Sequence, residues 1–294
     1  MAVQTRAIKR RIKSVKNTRK ITKAMELVAA SKMRKAVNSV LASRPYSKLA
    51  WSTVTRLSGR VEEQLHPLLR SHAQVKRVLL LLITSDRGLA GGFNVNVIRK
   101  TREEIQRLGT DVEIQTVCIG RHGSEAMRRL KMPVMASFQE ITNNTKFEEV
   151  LPIGRLVMDE FSAGAFDRVL VAYTDYVSAI TQKPVVLQLL PLSEGTQGED
   201  TGEQGTAGEF AFEPSPGEVL DAMLPRLVET MVYQAVLESA ASEHSSRMLA
   251  MRSASDAAGD MIDDLSFTYN QARQAGITQE IAEISSGKAA LENL

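Results

Sequence analysis

Cysteine occurs once in 294 residues, at Cys118, which excludes an intramolecular disulfide framework and a multi-cysteine zinc site. Histidine is nearly as scarce, and His66, His72, His122 and His244 lack metal-ligand spacing. Long apolar runs are missing as well: the longest, Val78 to Ile83, is far too short to cross a bilayer as a helix. Aromatic residues make up 5% of the chain and none precedes Tyr46, so the first segment has no platform on which bases could stack. Proline and glycine are absent from Thr5 to Arg44, and acids are absent from the first 60 residues except for Glu26. With one thiol, a reducing, cytoplasm-like compartment is expected.

What is present is strongly polarised. Residues 1–60 hold sixteen Lys or Arg against one acid, a net +15, whereas the remainder carries −12, giving +3 overall. Such an excess is more than solubility needs, so the first segment calls for an anionic partner. A nucleic acid would exploit counterion release, but the missing aromatics weigh against a single-stranded target. A membrane-surface helix would want Trp or Phe on its apolar face, and the first is Trp51. An Arg-rich, acid-poor start is also the composition of a mitochondrial transit peptide. Docking against an acidic protein surface is the favoured reading.

Apolar residues recur at helical spacing from the start: Ile8, Ile12, Val15, then Ile21, Met25 and Val28. Residues 3–58 read as one amphipathic helix with a kink near Pro45, spanning roughly 80 Å at the helical rise. At the other end, Ala258, Ile262, Leu265, Tyr269 and Ala272 alternate spacings of four and three, the signature of a coiled-coil seam. Two such helices at opposite ends of one chain pair most simply as an antiparallel coiled coil, with Ala29-Ala30-Ser31 permitting close approach. Apolar residues off the seam, such as Met248, Leu249, Met261 and Ile281, would stay wet unless something larger covers them.

Between the helices the period changes. Val78–Thr84, Val112–Ile119 and Val169–Tyr173 are strand-length aliphatic runs, separated by helical stretches at Val95–Leu108, Ser124–Leu130 and Phe147–Ala163. Lys183–Leu190 adds an edge strand with Pro184 at its start. The fold class is therefore α/β: a long antiparallel coiled coil of the N- and C-terminal helices with an inserted Rossmann-like α/β domain of two or three layers. The expected divisions are 1–60 for the first helix, 76–192 for the α/β domain, 193–215 for a mobile acidic and Gly-rich loop, and 216–294 for the last helix.

Candidate catalytic chemistry is thin. Asp86-Arg87-Gly88-Leu89-Ala90-Gly91-Gly92 follows a buried strand and precedes a helix, where α/β proteins often bind phosphate. Its glycines match neither GxGxxG nor GxxxxGK[ST], so a tight turn or partner-contact loop is preferred over a nucleotide site. Cys118, inside an apolar strand, reads as an inert buried thiol. The acid pairs Asp263-Asp264 and Glu280/Glu283 lie on the rod with no evident pocket.

The stretch Arg11-Ile12-Lys13-Ser14-Val15-Lys16-Asn17-Thr18-Arg19-Lys20-Ile21-Thr22-Lys23-Ala24-Met25-Glu26-Leu27-Val28-Ala29-Ala30-Ser31-Lys32-Met33 resembles the N-terminal helix of the gamma subunit of rotary F-type ATP synthases. Tyr269-Asn270-Gln271-Ala272-Arg273-Gln274-Ala275-Gly276-Ile277-Thr278-Gln279-Glu280-Ile281-Ala282-Glu283-Ile284-Ser285-Ser286-Gly287 resembles that family's C-terminal signature, and Asp86 to Gly92 its central glycine motif. The resemblance implies a non-catalytic central shaft without cofactor, metal or nucleotide. Its partners would be three alpha and three beta subunits, an epsilon subunit and the membrane c-ring, with no nucleic acid bound.

By the same resemblance, Arg273, Gln274 and Thr278 would make polar contacts to a beta-subunit loop. Met25 would lie near the acidic beta segment that transmits torque, and Arg87, Gly88, Leu89, Ala90 and Gly91 would face that segment too. Phe210, Phe212 and Glu213 would meet epsilon and the c-ring. Ala90 replaces the family's usual cysteine and Lys288 its usual alanine, and the paired-cysteine insertion of chloroplast members is missing. The family pattern begins within a few residues of Met1, so a bacterial protein peripheral to the cytoplasmic face of the inner membrane is expected. The alternative from another class is a nucleic-acid-binding coiled-coil protein using its basic helix.

Overall fold

The computed structural model describes residues 2–58, 66–72, 74–143, 145–192 and 215–292. Among these, helices α1 (Ala2–Ser58) and α5 (Pro216–Glu292) flank β1 (Arg77–Ile83), α2 (Phe93–Leu108), β2 (Glu113–Ile119), α3 (Arg121–Arg129), β3 (Val134–Phe138), α4 (Phe147–Ser162), β4 (Arg168–Tyr176) and β5 (Gln182–Leu190). Helix α1 runs through Pro45 and α5 through Pro225. Ser215 caps the start of α5: the Glu218 amide donates to the Ser215 hydroxyl, and that hydroxyl donates to the Glu218 carboxylate at 3.0 Å. Proline at the first helical position has no amide to leave unsatisfied.

The chain divides into two compact units, one of residues 30–247 and one of the residues up to Ala29 together with those from Met248.

In the first unit the strand order is β3-β2-β1-β4-β5, with β5 antiparallel to β4 and the other pairs parallel. The connection at 177–181 is too short for a crossover, which forces β5 into a hairpin. Its tip is closed by the Ser178 amide donating to the Thr181 carbonyl at 2.9 Å. β1 lies in the middle and is buried on both faces, so Val78 to Ile83 form an unbroken apolar run rather than an alternating one.

Its odd positions, Leu79, Leu81 and Ile83, pack with α4 and with Leu220, Leu224, Val228, Val232 and Val236 of α5. Its even positions, Val78, Leu80 and Leu82, pack with Val97 of α2 and Met127 of α3. The domain thus has three layers, and α5 supplies part of one of them. From Gln234 to Ser245 every α5 residue is buried, polar ones included. Val40 of α1 packs on Leu237 and Ala241 there.

β3 has no counterpart in the sequence reading. Val134-Met-Ala-Ser-Phe138 is short, half-buried and lacks β-branched alternation, as an edge strand can.

In the second unit, two contacts fix an antiparallel pairing. Arg252 meets Glu26 at 3.4 Å, and the guanidinium of Arg19 lies over Gly259. Seven residues back on α1, from Glu26 to Arg19, match seven forward on α5, from Arg252 to Gly259. Burial follows a 3.5-residue period on both helices. On α5 it selects Met251, Ser255, Ala258, Ile262, Leu265, Tyr269 and Ala272, which includes every seam residue expected from the sequence. On α1 it selects Ile8, Ile12 and Val15 as expected, and then Thr22, Glu26 and Ala29. Ile21 and Val28 are 60% and 58% exposed, so the apolar face read from sequence drifts off the buried one after Val15.

Candidate functional site

The one acid of the basic segment sits in the helix seam. Glu26 is only 5% exposed and accepts from Lys23 Nζ at 2.8 Å, with Arg252 on its other oxygen. The Lys23 hydrogen bond, with both cations, holds its carboxyl below the usual range against the opposing effect of burial. Its charge is therefore matched within the seam, and the remaining bases face outward. Arg6, Lys9, Arg10, Arg11, Lys13, Lys16, Lys20 and Lys23 are all exposed.

Met25, beside Glu26, is half-buried. Arg273, Gln274 and Thr278 are exposed on α5, as are the large apolar residues Ile277, Ile281 and Ile284. Met261 and Ile281, expected to stay wet, are exposed, while Met248 and Leu249 are half-buried. Phe210, Phe212 and Glu213 lie outside the described residues, as do residues 193–214 of the expected acidic loop.

The glycine motif belongs to the α/β unit and forms the turn between β1 and α2. Arg87, Gly88, Leu89 and Gly91 are exposed, whereas Ala90 is 3% exposed with its methyl turned inward. Leu89 has φ 61° and Gly91 φ 55°. A leucine in the left-handed region is strained, and here it is also 63% exposed, a combination that only a well-fastened loop sustains.

Inside the turn, Asn94 Nδ2 donates to Ser85 Oγ at 2.7 Å, the Ser85 amide donates back to Asn94 Oδ1, and the Ser85 hydroxyl donates to the Arg87 carbonyl at 2.8 Å. Asp86 spreads its carboxylate over two neighbours: Oδ1 accepts from the Arg121 amide at 3.0 Å and Oδ2 from the Glu140 amide at 2.8 Å. From α5, Arg247 Nη2 donates to the carbonyls of Arg87 at 3.0 Å and Gly88 at 3.3 Å.

Arg247 is itself held by Glu243 at 2.7 Å. Glu243 is 3% exposed, and burial pushes its carboxyl up against the pull of Arg247. Neighbouring His244 is pushed down to about 4 by burial and by Arg247, and so is neutral at ordinary pH. The carbonyls of the motif thus point at a protein cation. That is the geometry of a fastened loop, and it differs from a phosphate cradle, which would turn amides to its ligand.

Sequence reasoning brought Arg87 to Gly91 together correctly as one loop but missed its fasteners. Asp86 was read only as part of the motif, and Arg247 lies about 160 residues away along the chain. No spacing rule links them. Cys118 is buried and its thiol is pushed up to about 11, chiefly by burial, which agrees with an inert thiol.

Fold and surface together define a class: a protein of two antiparallel terminal helices with an inserted α/β domain, whose exposed basic and apolar side chains and fastened loop suit it to contact other proteins. Residues 4–291 match a family described as ATP synthase. The chain is 44% identical to the ATP synthase gamma chain of Heliobacterium modesticaldum over 290 residues, 97% of this chain and 98% of that one. It is 41% identical to the gamma chain of Nitrosomonas eutropha over 291 residues, 98% and 99% of the two chains.

Among solved structures it is similar to a chain of the central stalk and c-ring of Tetrahymena thermophila mitochondrial ATP synthase, with a TM-score of 0.61, 27% identity and coverage of 80% and 99%. A chain of the Euglena gracilis enzyme shares the fold at a TM-score of 0.68 and 19% identity, covering 99% and 95%. The chain belongs to the ATP synthase gamma chain family.

Proposed function

We propose that this chain is the central rotor shaft of an F-type ATP synthase, coupling proton flow through a membrane c-ring to ATP synthesis or hydrolysis on beta subunits by rotation. In this reading it does no catalysis itself. The paired helices stand inside a ring of three alpha and three beta subunits, and the rest of the chain meets an epsilon subunit and the c-ring. The complex holds it at the cytoplasmic face of a bacterial inner membrane. Among the described residues no helix is long and apolar enough to cross a membrane, so membrane attachment through partners is consistent with the reading.

The observation that carries the proposal is the seam. Its one acid is matched internally by Lys23 and Arg252, leaving a continuous basic flank on α1 that needs an acidic surface. The tip of α5 exposes Ile277, Ile281 and Ile284, which need an apolar bearing. Met25, Arg273, Gln274, Thr278 and the loop Arg87, Gly88, Leu89 and Gly91 are the proposed beta-subunit contacts. Ala90 would shape the loop rather than touch the partner, and Phe210, Phe212 and Glu213 remain the proposed contacts to epsilon and the c-ring.

The test is reconstitution of competent alpha and beta subunits with and without this chain, reading ATP hydrolysis and assembly mass. Steady hydrolysis with one copy per three alpha and three beta is expected. Assembly failure with competent partners would overturn the proposal.

A further inference from the structure

A short strap crosses the α/β unit ahead of β1 and belongs to none of the proposed contacts. Within it His66 caps the 3₁₀ turn Pro67–Leu69, whose Leu68 and Leu69 are buried in the cluster that α4 and α5 share. Proline at the first position has no amide, so the first donor of the turn is Leu68, and it gives its N–H to His66 Nδ1 at 3.1 Å. The Leu69 amide returns to the His66 carbonyl at 3.0 Å, and the Leu68 carbonyl accepts from the Leu192 amide, just past β5, at 2.9 Å. On the other side of the ring, Nε2 lies 3.4 Å from Asp221 Oδ1 of α5.

These contacts locate the ring's proton. A nitrogen that accepts from an amide N–H carries no hydrogen, so the neutral ring bears its one proton on Nε2, where it faces a carboxylate. His66 is 7% exposed and both of its nitrogens are in use. A second proton can go only to Nδ1. There it would point at the Leu68 N–H, and two donors would face each other with no acceptor between them. The charged groups that face the ring are Asp221 of α5, which favours the cation, and Arg70 of the strap, which opposes it. α4 meets the turn in the apolar cluster.

We propose that His66 is an acid-labile clasp: neutral and protonated on Nε2, it caps the turn and reaches Asp221, and a second proton uncaps the Leu68 amide. The bonds of the Leu69 and Leu192 amides do not involve the ring, so the strap stays packed while its cap is lost. Burial, against the pull of Asp221 and with a lesser push from Arg70, holds the ring below the ordinary histidine value. A group depressed in the fold contributes fully above its unfolded value and loses that contribution as pH falls toward the folded one. The clasp acts inside the α/β unit and does not depend on the shaft reading.

The test uses the full chain labelled with ¹⁵N, reading the histidine rings by long-range proton–nitrogen correlation from pH 7.5 downward, with His66→Asn to assign the signals. The expected spectrum at pH 7.5 has a bare Nδ1 and a protonated Nε2, and the midpoint lies below that of the same ring in the urea-unfolded chain. Asparagine keeps a cap acceptor and does not titrate, so His66→Asn should fold without the acid response. Between pH 7.5 and 5.5 the unfolding constant of the wild type should rise by up to about tenfold more than that of His66→Asn, the limit set by an unfolded value of about 6.5. A ring protonated on Nδ1 at pH 7.5, or a midpoint at or above the unfolded one, overturns the proposal. So does an equal pH response of the two proteins.

Discussion

Replacing Arg247 by alanine separates the two things that side chain does. On the loop it donates to the carbonyls of Arg87 and Gly88. These carbonyls are near solvent and water can replace the cation, so the loss is about 1 kcal/mol for each bond. On the buried side it is the cation of Glu243 at 2.7 Å. A carboxylate that is 3% exposed cannot recruit bulk water, and leaving it uncompensated costs about 3–5 kcal/mol.

The second effect is the larger, and it is the one that depends on pH. Burial already holds the Glu243 carboxyl above its ordinary value, Asp86 adds to the rise, and removing Arg247 raises it further. A group raised in the folded state gives its full stability below the unfolded value and loses it as pH climbs through the folded one. The deficit of Arg247→Ala, measured by chemical denaturation, should therefore be about 3 kcal/mol or more at pH 8. It should be smaller at pH 5, because a carboxyl held above its ordinary value carries more of its proton as the pH falls. Adding Glu243→Gln should recover much of the loss at pH 8. A deficit that is the same at both pH values, or a double variant no better than the single one, would refute the reasoning.

Two further predictions concern fold and contact. Gly120 has φ 89°, and a Cβ there would lie 2.3 Å from the Thr84 carbonyl oxygen, so Gly120→Ala should lower stability by about 2 kcal/mol or more in thermal unfolding. Arg273 and Gln274 are exposed, so Arg273→Ala with Gln274→Ala should leave unfolding of the isolated chain unchanged. In an assembled complex it should lower ATP hydrolysis, and unchanged turnover would remove them from the interface.

The seam was legible where burial and hydrophobicity coincide, as at Ala258, Ile262, Leu265, Tyr269 and Ala272. It was misread at Ile21 and Val28, because the row turned inward there runs through half-buried Thr22 and buried Glu26, and a hydrophobic count skips polar residues. The three long strands were plain because central parallel strands are apolar on both faces, and β3 was missed because a short edge strand need not be. The stretch of α5 from Gln234 to Ser245 is buried although it holds Glu238, Ser239, Ser242, Glu243 and His244, polar residues that a hydrophobic count does not assign to a core. Its partners, Arg44, Thr174 and Arg247, come largely from other elements, and that pairing is tertiary information. In the candidate site the sequence identified the loop, but the cation and the carboxylate that fasten it needed the fold.

Asp86 ties together more than its own turn. Its two oxygens join the β1 turn to the start of α3 and to Glu140 after β3, so three strand ends move as one body. In the proposed contact, a partner meeting Leu89 would encounter a surface whose conformational entropy was already lost on folding, not one that must be ordered at the encounter. Relaxing Asp86 would return that entropy cost to every binding event, weakening association without altering a single atom of the contact itself.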